Sequence, residues 1–210
     1  MSTPDSPKID TRLYDIDDLN SRTRKSTADP DPDRELALTS RGVPAHLACQ
    51  RFEGELPHVP GYDLANWSGR PEAWAVALYG VPGAGKSMLA AQLMWLRLPS
   101  VDTAAWWRAS RLIDAHFSLP DIEARARVCQ ECYADLLVID DISSMGRRGL
   151  DILCNVIGAR RDEGLATILT FNVPLAALCK RYPKLGSKLT SGTIAVPFEQ
   201  TYEERTGLCC

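Results

Sequence analysis

The chain has 210 residues, 45% of them hydrophobic, with 24 Lys and Arg against 27 Asp and Glu. That length allows one domain with an appendage. The net charge of −3 argues against a strongly basic nucleic-acid binder, though local basic patches remain possible. No apolar run approaches the roughly twenty residues of a membrane span, and the first residues have neither a basic start nor the apolar segment of a secretory signal.

Seven cysteines, without such a signal, are read as reduced thiols in a reducing, cytoplasmic compartment. Cys129 and Cys132 form a lone C-x-x-C. A zinc site needs a second ligand pair, so both are read as helix residues.

In chain order, residues 1–36 are dense in charge, Ser, Thr and Pro, a linker or disordered composition. Asp29 to Asp33 carries two prolines and cannot be a helix interior. Within this tail Ile9, Leu13, Tyr14, Ile16 and Leu19 recur at helical spacing. Such an island either docks on a partner protein as a short amphipathic helix or packs on its own domain. Compact structure, residues 37–210, is expected from a short helix near Leu36 that Gly42 and Pro44 stop. Val43, Pro44, His46 and Phe52 are candidates for a base pocket, and core packing accounts equally well for Val43 and Phe52.

Trp74 to Tyr79 is an apolar stretch of strand length, and Met88 to Leu96 is rich in helix formers. Between them Gly80, Val81, Pro82, Gly83, Ala84, Gly85, Lys86 and Ser87 fit G-x-x-x-x-G-K-[ST], the phosphate-binding loop. The glycines let backbone N–H groups approach phosphate oxygens. The following helix, with Met88 in its first turn, adds its positive end. In such a loop the lysine, here Lys86, reaches the β- and γ-phosphates and the hydroxyl, here Ser87, ligates Mg²⁺.

Thr103 to Trp107 reads as a second strand, Ser110 to Phe117 as a helix, and Ile122 to Cys132 as another. Leu136 to Asp141 is an apolar run ending in acid, the Walker B pattern of a buried parallel strand. At its C-terminal end, where α/β sheets bind ligands, Asp140 is read as a metal ligand. Asp141 is read as the residue that orients and deprotonates a water. A helix from Gly149 to Arg161 follows. Thr167 to Asn172 is then a strand ending in a polar residue, and Asn172 is placed beside the γ-phosphate or, alternatively, in a turn before Pro174. Leu175 to Lys180 reads as a short helix and Gly192 to Phe198 as the last strand.

This order of motifs resembles the AAA+ ATPases, most closely the branch of DnaC-type helicase loaders and IstB-type transposition ATPases. Gly42-Val43-Pro44, Asp135 to Ile142, Ala159-Arg160-Arg161 and Thr167 to Leu175 carry the resemblance, which covers about residues 40–206. It implies an α/β P-loop NTPase three-layer sandwich with a five-stranded parallel sheet and no helical lid domain. It also implies ATP and Mg²⁺ as ligands and a homo-oligomer with ATP between subunits. Lys86, Ser87, Asp140 and Asp141 then take the roles above, and Asn172 becomes sensor 1. Where the family has an arginine finger this chain has Lys188, a point charge instead of a planar fork. Lys188 or Arg181 serves in trans, or turnover is slow. Arg205 resembles a second phosphate sensor.

The function this implies is a helicase loader acting with a replicative helicase on single-stranded DNA. Arg108, Arg111, Arg147, Arg148, Arg160 and Arg161 are candidates for a DNA-facing stripe, and Trp106 and Trp107 for base stacking or core. The alternatives are an IstB-like partner of a transposase, a small-molecule kinase, and a nucleotide-binding adaptor that scarcely hydrolyses ATP.

Overall fold

The strands of this protein are short, largely apolar runs, and they stack into one sheet. The computed structural model describes residues 31–50, 56–67, 69, 72–118, 122–142 and 146–200. The strands are β1 (Ala75–Gly80), β2 (Ala104–Arg108), β3 (Leu136–Ile142), β4 (Ala166–Phe171) and β5 (Thr193–Phe198). They form a five-stranded sheet in the order β2-β3-β4-β1-β5, with every pairing parallel. Parallel neighbours require crossovers, which the helices supply. The α/β class and the five-stranded parallel sheet expected from sequence are both present.

Helices cover both faces. On one, α3 (Lys86–Arg97) packs Leu89 and Leu93 over Val76, Val138 and Ile168, with α1 (Pro32–Thr39) and α2 (Ala45–Ala48) alongside. On the other, α4 (Ala109–Ser118), α5 (Ile122–Cys132), α6 (Arg147–Glu163), α7 (Leu175–Arg181) and α8 (Pro183–Leu189) bury Leu112, Leu153, Ile157 and Leu185 against Ala77, Ile139 and Leu169. A strand with helices on both faces must be apolar throughout; hence the uninterrupted Ala75 to Leu78 and Leu136 to Ile139, all fully buried. No helix among the described residues is long and apolar enough to cross a membrane.

The first helix begins at Pro32, earlier than the expected start near Leu36. Proline is tolerated in the first helical turn because its missing N–H would be unpaired there. Asp31 caps the turn, accepting from the Arg34 N–H at 3.1 Å. Arg34 is buried and donates to the carbonyls of Ala48 and Gln50, which ties α1 to the end of α2. The apolar island Ile9 to Leu19, Phe52 and Arg205 lie outside the described residues.

Candidate active site

The loop between β1 and α3 depends on its glycines. Gly80 has φ +134°, and a Cβ there would sit 1.9 Å from the Phe198 carbonyl oxygen, which instead accepts from the Val81 N–H at 3.0 Å. Gly85, at φ +88°, is the N-cap of α3 and offers no side-chain cap. The first-turn N–H groups of α3 are therefore available to an anion.

Lys86 is buried, and its ammonium donates to the Gly80 carbonyl at 3.2 Å and the Val81 carbonyl at 2.5 Å. Burial pushes its pKa below the ordinary lysine value; Asp140 and Asp141 pull the other way.

The acids of β3 close the other side. Ser87 Oγ donates to Asp140 Oδ1 at 2.7 Å, and Thr170 Oγ1 donates to the same oxygen at 2.7 Å. Thr170 Oγ1 also accepts from the Asp141 N–H at 2.8 Å. Asp141 has φ +58°, at a point where the β3–β4 register breaks between Ile139 and Ile142. Its carboxylate is held on both oxygens. Asn172 Nδ2 donates to Oδ1 at 2.8 Å, while Arg108 donates to Oδ2 through Nη2 at 2.7 Å and Nε at 3.2 Å.

These groups line one cavity of about 1290 Å³, which runs from the Arg41–Leu47 segment past the loop to Asn172. That volume accommodates a nucleotide with room to spare. The hydroxyl of Ser87 and the carboxylate of Asp140 are hard oxygen donors of the kind Mg²⁺ takes.

No protein-family model and no curated protein matches the chain. Solved structures do. The DnaC helicase loader aligns at TM-score 0.55 and 19% identity, over 65% of this chain and 84% of that one. DnaI aligns at 0.54 and 16%, over 65% and 76%. Domain III of the Thermotoga maritima replication initiation protein DnaA aligns at 0.55 and 18%, over 68% and 60%. The chain shares with these structures the fold described above, a five-stranded parallel sheet with helices on both faces.

Within this fold, the cavity brings together the expected Gly83, Lys86, Ser87, Met88, Asp140, Asp141 and Asn172. Pro44 and His46 line it as well, whereas Val43 is buried in the core. Lys188 is not among the lining residues. It sits on α8 with its stem laid across Gly158 of α6. Arg181, at the end of α7, lies 5.3 Å from the centroid of the Tyr182 ring.

One expectation is corrected, and for Trp106 the core alternative is the one that holds. Arg160 cannot face DNA. It is 0% exposed and donates to the carbonyls of Cys132 (2.7 Å), Ala134 (2.7 Å) and Ala166 (2.6 Å) and to Thr167 Oγ1 (2.8 Å). Burial lowers its pKa to about 10. It is a brace between the end of α6, the start of β4 and the turn into β3. Trp106, 5% exposed, belongs to the core beneath α3 and offers no face for base stacking.

Two functional residues were missed. Arg108 was read as a candidate for a DNA-facing stripe and not as part of this site, yet it ends β2 in register with Asp140. Asking which side chain stands at the C-terminal end of every strand finds it. Thr170 looked like an ordinary β-former; its signal was a hydroxyl near the C-terminal end of a central strand that is apolar apart from it and Thr167.

Proposed function

We propose that the chain is an Mg²⁺-dependent ATPase that serves DNA replication as a helicase loader. The observation that carries the ATPase reading is the continuous set of hydrogen bonds from Ser87 through Asp140 and Thr170 to Asp141 and Asn172. It joins the phosphate loop to an oriented carboxylate. The loader assignment is supported by the likeness to DnaC and DnaI. A DnaA initiator of similar fold (TM-score 0.50, 17% identity) is described as bound to AMPPCP and single-stranded DNA.

In this reading the N–H groups of the loop and the first turn of α3 bind the phosphates. Lys86 exchanges its loop carbonyls for phosphate oxygens. Ser87 and Asp140 hold Mg²⁺, which would supply positive charge against the phosphates. Asp141 receives a proton from the attacking water on the carboxylate that Asn172 orients, at the oxygen that Arg108 releases. Lys188, which is not among the residues that line its own cavity, serves the site of a neighbouring subunit in a homo-oligomer, and Arg205 is a second phosphate sensor. Residues 1–36 bind the replicative helicase.

The test has two stages. Lys86→Ala is expected to abolish binding of a fluorescent ATP analogue, and undiminished binding would remove the site. Asp141→Asn is expected to retain binding while phosphate release falls by about 10²-fold or more. The full chain should capture a replicative helicase, and the chain without residues 1–30, which keeps α1 and its buried Arg34, should not. Capture of a transposase instead would move the assignment to transposition.

A further inference from the structure

Thr170 is 2% exposed, on the central strand β4, and its one hydroxyl serves both acids of β3. It gives its proton to Asp140 Oδ1 at 2.7 Å and accepts the backbone N–H of Asp141 at 2.8 Å. A hydroxyl has one donor and two lone pairs, so it can do both at once.

What it holds is strained. Asp141 is the one non-glycine residue with positive φ among the described residues, and it sits where β3 slips register against β4. That left-handed conformation is uncommon for a residue other than glycine, even for Asp, which tolerates it better than most, and it is kept here by contacts on both its backbone and its side chain. Two residues beyond Thr170, Asn172 takes the carboxylate of the same Asp141. Spacing of two puts side chains on one side of an extended segment. The β4 segment thus grips Asp141 at two points, backbone through Thr170 and side chain through Asn172.

We propose that Thr170 is a positioning residue that fixes Asp141 relative to Asp140 and thereby aims the water-orienting carboxylate at the metal end of the site. This rests on the ATPase reading above. Thr170 touches neither nucleotide nor water in this scheme. It acts through the two aspartates. Valine has the shape of threonine and can make neither bond; serine can make both.

The experiment compares wild type, Thr170→Val and Thr170→Ser in the full chain. Three quantities are read: nucleotide affinity with Mg²⁺ and with EDTA, the kcat and KM of phosphate release, and exchange of the Asp141 amide followed by NMR without nucleotide. T170V is expected to lower kcat by about 10²-fold with KM within about threefold, and to speed Asp141 amide exchange by about tenfold or more. T170S is expected to restore both to within about fivefold of wild type. If T170V does not fold, Thr170→Ala takes its place in the comparison with T170S. Wild-type kcat and wild-type amide exchange in T170V would overturn the proposal alone, and so would T170S losing as much as T170V. Wild-type chain that binds no nucleotide would overturn the ATPase reading and this proposal together.

Discussion

Arg108 Nη2 lies 2.7 Å from Asp141 Oδ2, joining the last residue of edge strand β2 to the acid at the end of β3. The Arg108 side chain is 61% exposed, so the pair contributes about 0–1 kcal/mol to folding. Its consequence is for the carboxylate. With Asn172 on one oxygen and Arg108 on the other, both carboxylate oxygens of Asp141 are occupied, and releasing Arg108 opens one of them to a water.

Arg108→Ala is therefore expected to raise phosphate release at saturating ATP, by up to about fivefold, the rate equivalent of about 1 kcal/mol. Thermal stability should stay close to wild type. A fall in turnover with unchanged nucleotide affinity would show that the arginine assists the reaction instead of restraining Asp141.

Arg160→Ala should unfold the protein readily. It leaves three carbonyls and the Thr167 hydroxyl without their buried donor. Leaving a buried acceptor without its donor costs about 1–3 kcal/mol per group, and with several groups orphaned at once Tm should fall by roughly 10 °C for a chain of this size. Arg161→Ala, beside it in sequence but paired with Asp162 at the surface, should cost under about 0.5 kcal/mol. Calorimetry of the two variants separates brace from surface charge, and equal losses would contradict the burial of Arg160.

The phosphate-loop glycines should differ sharply. Gly80→Ala drives a Cβ into the Phe198 carbonyl, backbone against backbone, so its destabilisation should exceed about 2 kcal/mol. Gly83→Ala meets nothing within 4 Å and pays only for its φ of +75°, about 1–2 kcal/mol. Denaturant melts of both variants rank them, and a more damaging Gly83→Ala would reverse the geometric argument.

Among the thiols, Cys132 should resist alkylation. Burial raises its pKa to about 11, leaving a thiolate fraction of about 10⁻³ at pH 8. Cys129, one helical turn earlier, is exposed. Peptide mapping after brief iodoacetamide treatment of the native protein should show Cys129 labelled at least about tenfold faster than Cys132. Comparable rates would mean that α5 does not pack as described.

Much of this was legible in the sequence because it is local. The loop Gly80 to Ser87 is a contiguous motif whose flanks, an apolar strand and a helix former run, lie within a few residues. The Walker B strand announces its burial by an unbroken apolar run and its site by the acids that end it. The helix start at Pro32 was missed, although proline in a first helical turn behind a capping Asp31 is also a local signal.

The sequence by itself determined the nucleotide-phosphate loop, the parallel-sheet class and the acids and Asn172 at the strand ends, since each follows from spacing within one element. Tertiary structure decided which strands are neighbours. Only the pairing of β2 with β3 sets Arg108 on Asp141, and only the β3–β4 register break sets Thr170 between Asp140 and Asp141. Arg160 shows the same limit: at the end of a helix its charge reads as surface, and only the convergence of α6, β4 and the turn before β3 makes it a buried brace. Contacts between residues some thirty positions apart leave no periodic trace in the chain, because they are selected by the packing of whole elements and not by the preferences of either neighbour.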